Sequence, residues 1–172
     1  RIAGILAAEM GWSDEERDAL ELAASMHDIG KLALPHRVLA KPGALDPFER
    51  KIVQTHTVIG ALLLYGKAGA WVRLARSIAL HHHERWDGQG YPRGLKGEQI
   101  PIPGRVMAVV DAYDALTSAR CYRGPMPHDR AVDLIVNGEG THFDPAVIDA
   151  FRRSAPLLYR AAHETTDTAF TS

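Results

Sequence analysis

The sequence predicts an all-α fold. Apolar residues recur at helical spacing in one segment after another, and helix-start signals stand ahead of several of them. No stretch alternates apolar and polar residues long enough to require a strand. About six or seven helices are expected in one domain, joined by two long loops of a kind that compact domains rarely keep without a purpose.

Ile2, Ile5, Leu6 and Met10 share one helical face, and Gly11 ends the run. Ser13 precedes Glu16 by three positions, a capping box that starts a helix reaching about His27. Asp28 to Asp46 contains Gly30, Pro35, Pro42 and Gly43 and reads as a structured loop with room for one short turn. Asp46 caps the next helix, Pro47 takes its first position and Glu49 completes a second box. Ile52, His56, Ile59 and Leu63 then fall on one face of that helix. A further helix from about Gly69 to Glu84 carries Val72, Ala75, Ala79 and His82 on one stripe. Trp86 to Pro103 is too rich in Gly and Pro to be helical. A long helix is expected over about Gly104 to Cys121, with shorter ones over His128 to Asn137 and Asp144 to Arg153. The Thr-rich end, 163–172, is expected to be a flexible tail.

The 172 residues fill one domain and not two comfortable ones, and a 46% hydrophobic content supplies its core. Twenty basic and 21 acidic residues leave a formal net charge of -1, which argues against a DNA-binding or membrane-surface protein. Cys121 is the single cysteine, so no intrachain disulfide forms, as expected for a reducing, cytoplasmic setting. No apolar run reaches the roughly 18 residues of a membrane span. Arg1 to Met10 lacks the pattern of a signal peptide. The chain opens inside a helix, as a fragment of a longer protein would.

The nine histidines matter most through their placement. His27-Asp28 ends a helix, and on its own such a pair is an ordinary helix end. His56 sits in an apolar helix face, where a lone histidine is usually a hydrogen-bonded core residue. His81, His82 and His83 are consecutive near a helix end, and three imidazoles there each need a partner if buried and neutral. Adjacent helical residues point about 100° apart, so two of the three are expected to bind a metal and one to turn away. Asp111 interrupts the apolar run Val106 to Val110, where an unpaired carboxylate would be costly to bury. Asp114 lies on the same face three residues on and is expected to orient a metal ligand. A set rich in histidine, with carboxylates and no cysteine, favours iron, manganese, zinc, nickel or cobalt over calcium. It holds more ligands than one ion needs, so at least two ions are expected, with Asp28 as their bridge. Such a pair binds phosphate and activates water for in-line displacement.

Most of these residues fall within blocks that resemble the HD-GYP family. His27-Asp28-Ile29-Gly30-Lys31 resembles its HDIGK signature, and His82 to Pro92 resembles its HHExxDGxGYP motif. Lys41-Pro42-Gly43, Ile100 to Arg105, Asp111 to Arg123 and His142-Phe143-Asp144-Pro145 are similar to further family blocks, so the likeness covers nearly the whole chain. It implies an HD-type helical bundle over 1–162 that lacks its extreme N-terminal part. It also implies a cyclic-di-GMP phosphodiesterase with two or three divalent ions, often iron or manganese. Carried over by position, the ligands are His27, Asp28, His56, His82, His83 and Asp111, which leaves His81 outside the set. Asp28 and Lys31 take the catalytic positions, and Lys31 meets a substrate phosphate. Arg120 and Arg123 contact phosphate or guanine, although cations at a helix end also suit its dipole. Gly90-Tyr91-Pro92 reads equally as a substrate-side or partner loop, with Tyr91 at the substrate, and as a tight turn.

By family spacing a further metal histidine falls just before Arg1, with a glutamate also upstream in trinuclear members. His36 stands where the family often has an acidic residue. The resemblance implies an upstream sensor or receiver domain and a GGDEF-type diguanylate cyclase as a partner, and it allows a homodimer. Two alternatives stay open: a module that binds a cyclic dinucleotide or a cyclase without cleaving, and an HD phosphohydrolase acting on 3′,3′-cGAMP.

Overall fold

The structure, a computed structural model, describes residues 1–118 and 124–167, with 162–167 described by backbone alone. The described residues form nine α-helical segments and two short 3₁₀-helices, with no strand beyond an isolated bridge between Glu139 and Phe143. The all-α expectation holds. The larger helix count has two sources, a one-turn helix inside the first long loop and a break within the helix that carries His56.

Helix α1 spans Ile2–Glu9, and α2 spans Asp14–Ala24 behind the Ser13–Glu16 capping box. The α-helix stops three residues short of His27, because the chain tightens into successive bonds to the third residue back. The amides of Met26, His27 and Ile29 donate to the carbonyls of Ala23, Ala24 and Met26. A 3₁₀-helix follows at Ile29–Ala33, and α3 covers His36–Leu39. The first long loop is therefore more ordered than the sequence suggests.

Helix α4, Pro47–Gln54, begins with the Asp46–Glu49 box, and α5, His56–Leu63, follows after a break at Thr55. The break puts His56 at the start of a helix instead of its middle. It also turns Leu63 outward to 46% exposure, off the face shared with His56. Helix α6 spans Ala70–His81, with Val72, Ala75 and Ala79 buried along its stripe and His82 as its C-cap. The second long loop holds a 3₁₀ turn at Gly97–Gln99 and a cis Tyr91–Pro92 bond.

Helix α7 covers Ile102–Thr117. It starts two residues early because Pro103 fits a first helical turn, whose N–H groups need no partner. Helix α8 covers His128–Val136, and α9 covers Pro145–Asp167. The last helix runs through Pro156 and past the expected end at Arg153 and the expected tail boundary at Ala162. Leu158, at 1% exposure, anchors the extension in the core despite the missing N–H of the proline.

Helices α6 and α7 pack together at the centre, with α2 and α5 against α6, α8 and α9 against α7, and α1 closing the bundle against α2, α7 and α9. Leu6, Leu20, Ile78, Val106, Val109, Ile148 and Phe151 form its apolar centre. No helix among the described residues is long and apolar enough to cross a membrane.

Candidate metal centre

One tight packing contact sets the centre. Gly30 presses the first 3₁₀-helix onto α5: a Cβ there would lie 1.9 Å from the His56 carbonyl oxygen and 2.6 Å from the Gly60 nitrogen. The HDIGK glycine thus lets the backbone of Asp28 approach the start of α5. The end of α6 brings His82 and His83 to the same place. Ligand atoms of Asp28, His56, His82 and His83 all lie within 4.8 Å of one another.

Three rings are aimed by the backbone. His27 Nδ1 donates to the Ala24 carbonyl at 2.8 Å, His56 Nδ1 to that of Val53 at 2.6 Å and His82 Nδ1 to that of Ile78 at 3.0 Å. Each bond fixes the tautomer and leaves a bare Nε2 lone pair, the arrangement that metal-bound histidines share. His56 Nε2 and His82 Nε2 lie 3.3 and 3.8 Å from Asp28 Oδ1 and 3.4 Å from each other. Two lone pairs facing across that gap repel unless a positive charge lies between them. Asp28 Oδ1 is itself buried with no hydrogen-bond partner. Ligand atoms each about 2.1 Å from one ion at a tetrahedral angle stand about 3.4 Å apart, so the spacing and the orphaned oxygen both fit a cation.

Asp28 Oδ2 faces the other way. It lies 2.5 Å from Lys31 Nζ and 3.4 Å from His27 Nε2, and His27 Nε2 is 3.7 Å from Asp111 Oδ1. His27 and Asp111 therefore flank the group of four instead of joining it. Both line a cavity of about 310 Å³ that also contains Asp114, Arg1 and Glu21. Asp114 is exposed, and its Oδ1 accepts a hydrogen bond from the Ser118 hydroxyl at 3.3 Å. Arg120 and Arg123 lie outside the described residues.

Electrostatics favour the neutral form of three of the rings. Burial lowers His56, lowers His82 strongly with help from the neighbouring imidazoles, and pushes His83 down to about 3. For His27, burial is outweighed by Asp28 and the Ala24 carbonyl, and its pKa rises. For Asp28, burial is outweighed by His27 and Lys31, which hold the carboxyl well below its usual range.

His81 turns away from this group, its Nδ1 bonded to the Ser77 carbonyl at 2.8 Å. Tyr91 stacks on His83 with ring centroids 4.8 Å apart, so Gly90-Tyr91-Pro92 is both a turn and a wall of the site. Burial and the carboxylates of Asp111 and Asp28 raise its phenol pKa. The sequence reading did not single out Glu84, which is 2% exposed and accepts from the amides of Arg93 at 2.8 Å and Leu95 at 3.0 Å. The available signal was its position, an acidic residue directly after the His82-His83 pair.

Residues 1–147 match the family described as HD domain. A cyclic di-GMP phosphodiesterase of Thermotoga maritima is 45% identical over 87% of this chain and 41% of its own length. The 3′3′-cGAMP-specific phosphodiesterase 3 of Vibrio cholerae is 39% identical over 90% of this chain and 33% of its own. The HDG"Y"P protein Bd1817 of Bdellovibrio bacteriovorus shares the fold, with a TM-score of 0.68 at 22% identity over 92% of this chain and 49% of that one. The chain thus spans less than half the length of the curated relatives it matches. With the His27-Asp28 pair, the histidines of α5 and α6 and the Gly-Tyr-Pro loop gathered at one site of a helical bundle, the chain belongs to the HD domain family, in its HD-GYP branch.

Proposed function

We propose that this chain is the phosphodiesterase domain of a cytoplasmic signalling protein and hydrolyses cyclic di-GMP to pGpG and onward to GMP. The observation that carries this reading is the buried, unpartnered Asp28 Oδ1 facing the bare Nε2 atoms of His56 and His82. Relatives at 44–45% identity that are named cyclic di-GMP phosphodiesterases support it. Asp28 Oδ1, His56, His82 and His83 would hold one divalent ion, and Asp28 Oδ2, His27 and Asp111 a second, with Asp28 as the bridge. The imidazole and carboxylate set suits iron or manganese, and zinc, nickel or cobalt also fit it. When bound, the ions supply Lewis acidity toward a phosphoryl oxygen and a water of lowered pKa.

The chain's own residues bind and orient the substrate. Lys31 Nζ, 2.5 Å from Asp28 Oδ2 and partly exposed, is placed to turn its compact charge onto a phosphate oxygen. Tyr91 walls the site beside His83, and Arg120 and Arg123 meet the outer phosphate or a guanine edge. An upstream sensor or receiver domain controls the domain, and a GGDEF-type cyclase docks near Gly90-Tyr91-Pro92. Incubating the metal-reconstituted chain with cyclic di-GMP should release pGpG; no product with metal bound would sink the reading. The likeness to 3′3′-cGAMP-specific phosphodiesterases favours a second substrate, 3′,3′-cGAMP. A competition assay with both dinucleotides decides the preference.

A further inference from the structure

The four site histidines are not held alike. His27, His56 and His82 are each aimed by an Nδ1 bond to a main-chain carbonyl. Among the described residues no hydrogen bond reaches the His83 ring. Its neighbours are rings: His82 at 4.0 Å, His56 at 5.2 Å and Tyr91 at 4.8 Å. His82 and His56 already face the centre, so Tyr91 is the group left to set the angle of His83. The Tyr91 amide also donates to the His83 carbonyl at 3.1 Å, which ties the two residues together along the backbone.

Tyr91 in turn depends on how the loop folds back over the end of α6. Glu84 makes that fold. Its two carboxylate oxygens accept from the amides of Arg93 and Leu95, on the far side of Tyr91, at 2.8 and 3.0 Å. No lysine or arginine side chain among the described residues pairs with it, so main-chain donors alone satisfy this buried charge. Bonds from amides to an ionised acceptor are stronger than neutral ones, which suits a clamp. Gly90 lets the loop lie against that residue, since a Cβ there would fall 2.5 Å from Glu84 Cα.

We propose that Glu84 is a positioning residue for the metal centre: it clamps residues 93–95 to the end of α6 and so holds Tyr91 against His83, in place of the carbonyl bond the other three histidines have. This rests on His83 being a metal ligand, and the controls separate the two ideas. Metal-free chain is prepared by chelation, and Mn²⁺ and Co²⁺ binding is followed by calorimetry and by Co²⁺ absorption. His83→Ala tests the ligand. Glu84→Ala removes the clamp. Glu84→Gln keeps its volume and the acceptor for Arg93 but turns a donor toward the Leu95 amide. Tyr91→Leu removes the stack and leaves the clamp.

Loss of an orienting partner typically weakens metal binding about 10- to 100-fold. Glu84→Ala and Tyr91→Leu should fall in that range and alter the Co²⁺ spectrum, and Glu84→Gln should lose less. Melting of each metal-free variant reports loop stability separately. Lowered melting with wild-type metal affinity and spectrum would overturn the proposal, because Glu84 would then only stabilise the loop. If Glu84→Ala fails to fold, Glu84→Gln decides in the same way. Wild-type metal binding by His83→Ala would overturn the ligand assignment and this proposal with it.

Discussion

The two oxygens of Asp28 see different surroundings. Oδ1 is buried beside His56 and His82, and Oδ2 meets Lys31 and His27. Asp28→Ala should abolish turnover of cyclic di-GMP and reduce bound metal from about two ions per chain to one or none, measured by product chromatography and metal analysis. The histidines add a pH dependence with a definite sign. His56, His82 and His83 have folded pKa values below the ordinary one, His83 at about 3. Their contribution to stability is full above the unfolded value of about 6.5 and is lost as pH falls toward the folded values. Each ring that stays neutral while the unfolded chain protonates costs about 1.4 kcal/mol per pH unit. His27 runs the other way, since its raised pKa gives stability below about 6.5 that is lost as pH rises through the folded value. Three rings against one predict that the metal-free chain melts at progressively lower temperature from pH 7 to pH 5. Metal competes with protons for the Nε2 atoms, so the rise in melting temperature on adding Mn²⁺ should shrink over the same range. A metal-free melting temperature that rises on acidification would contradict the buried, neutral rings.

At the scale of elements, the centre depends on a contact between two short helices. Gly30→Ala would put a methyl group 1.9 Å from the His56 carbonyl oxygen, with no flexible side chain there to give way. The first 3₁₀-helix would have to leave α5 and carry Asp28 with it. The cost is about 1–3 kcal/mol, as for other overpacked contacts, and should appear as a lower melting temperature together with a weaker metal affinity. This contact also marks what the sequence could and could not convey. The Ser13–Glu16 and Asp46–Glu49 boxes were readable because capping acts between residues three apart. The stripe of α6 was readable because burial repeats with the helical period. The break at Thr55 was not, since Ile52, His56 and Ile59 fit an unbroken helix equally well. For the candidate site, the sequence singled out His27, Asp28, His56, His82, His83 and Asp111, and the fold gathers Asp28, His56, His82 and His83 while His27 and Asp111 flank them. What the sequence left unseen was main-chain geometry: the carbonyls of Ala24, Val53 and Ile78 that aim three rings, and the amides of Arg93 and Leu95 that return to Glu84. Such partners carry no side-chain signature.

Across the whole molecule, the loop that carries Tyr91 has a second anchorage besides the Glu84 carboxylate. Arg105 on α7 donates to the Ile100 carbonyl at 2.7 Å and to Asp144 Oδ2 at 2.9 Å, and its guanidinium lies 5.8 Å from the Trp86 ring. Asp144 Oδ1 accepts from the Ala146 amide at 2.8 Å and so caps α9. The amides of Trp86 and Asp87 donate to the carbonyls of His142 and Thr141, which lashes the loop to the segment before α9. One ion pair, with side chains 17% and 3% exposed, therefore joins α7, α9 and the outer half of the loop. Arg105→Met keeps much of the volume but leaves the Asp144 carboxylate buried without its cation. Breaking a buried pair from one side costs about 3–5 kcal/mol. At roughly 2–4 °C per kcal/mol for a chain of this size, melting of the metal-free protein should fall by on the order of 10 °C. The inner half of the loop stays clamped by Glu84, so below the melting range the metal affinity should remain within about threefold of wild type, as for two separate supports that act independently. Calorimetric titration at low temperature beside a melting curve tests both halves of this prediction. A variant that melts early and also loses metal at low temperature would mean that the loop responds as one body, with the anchorage at α9 felt directly at His83.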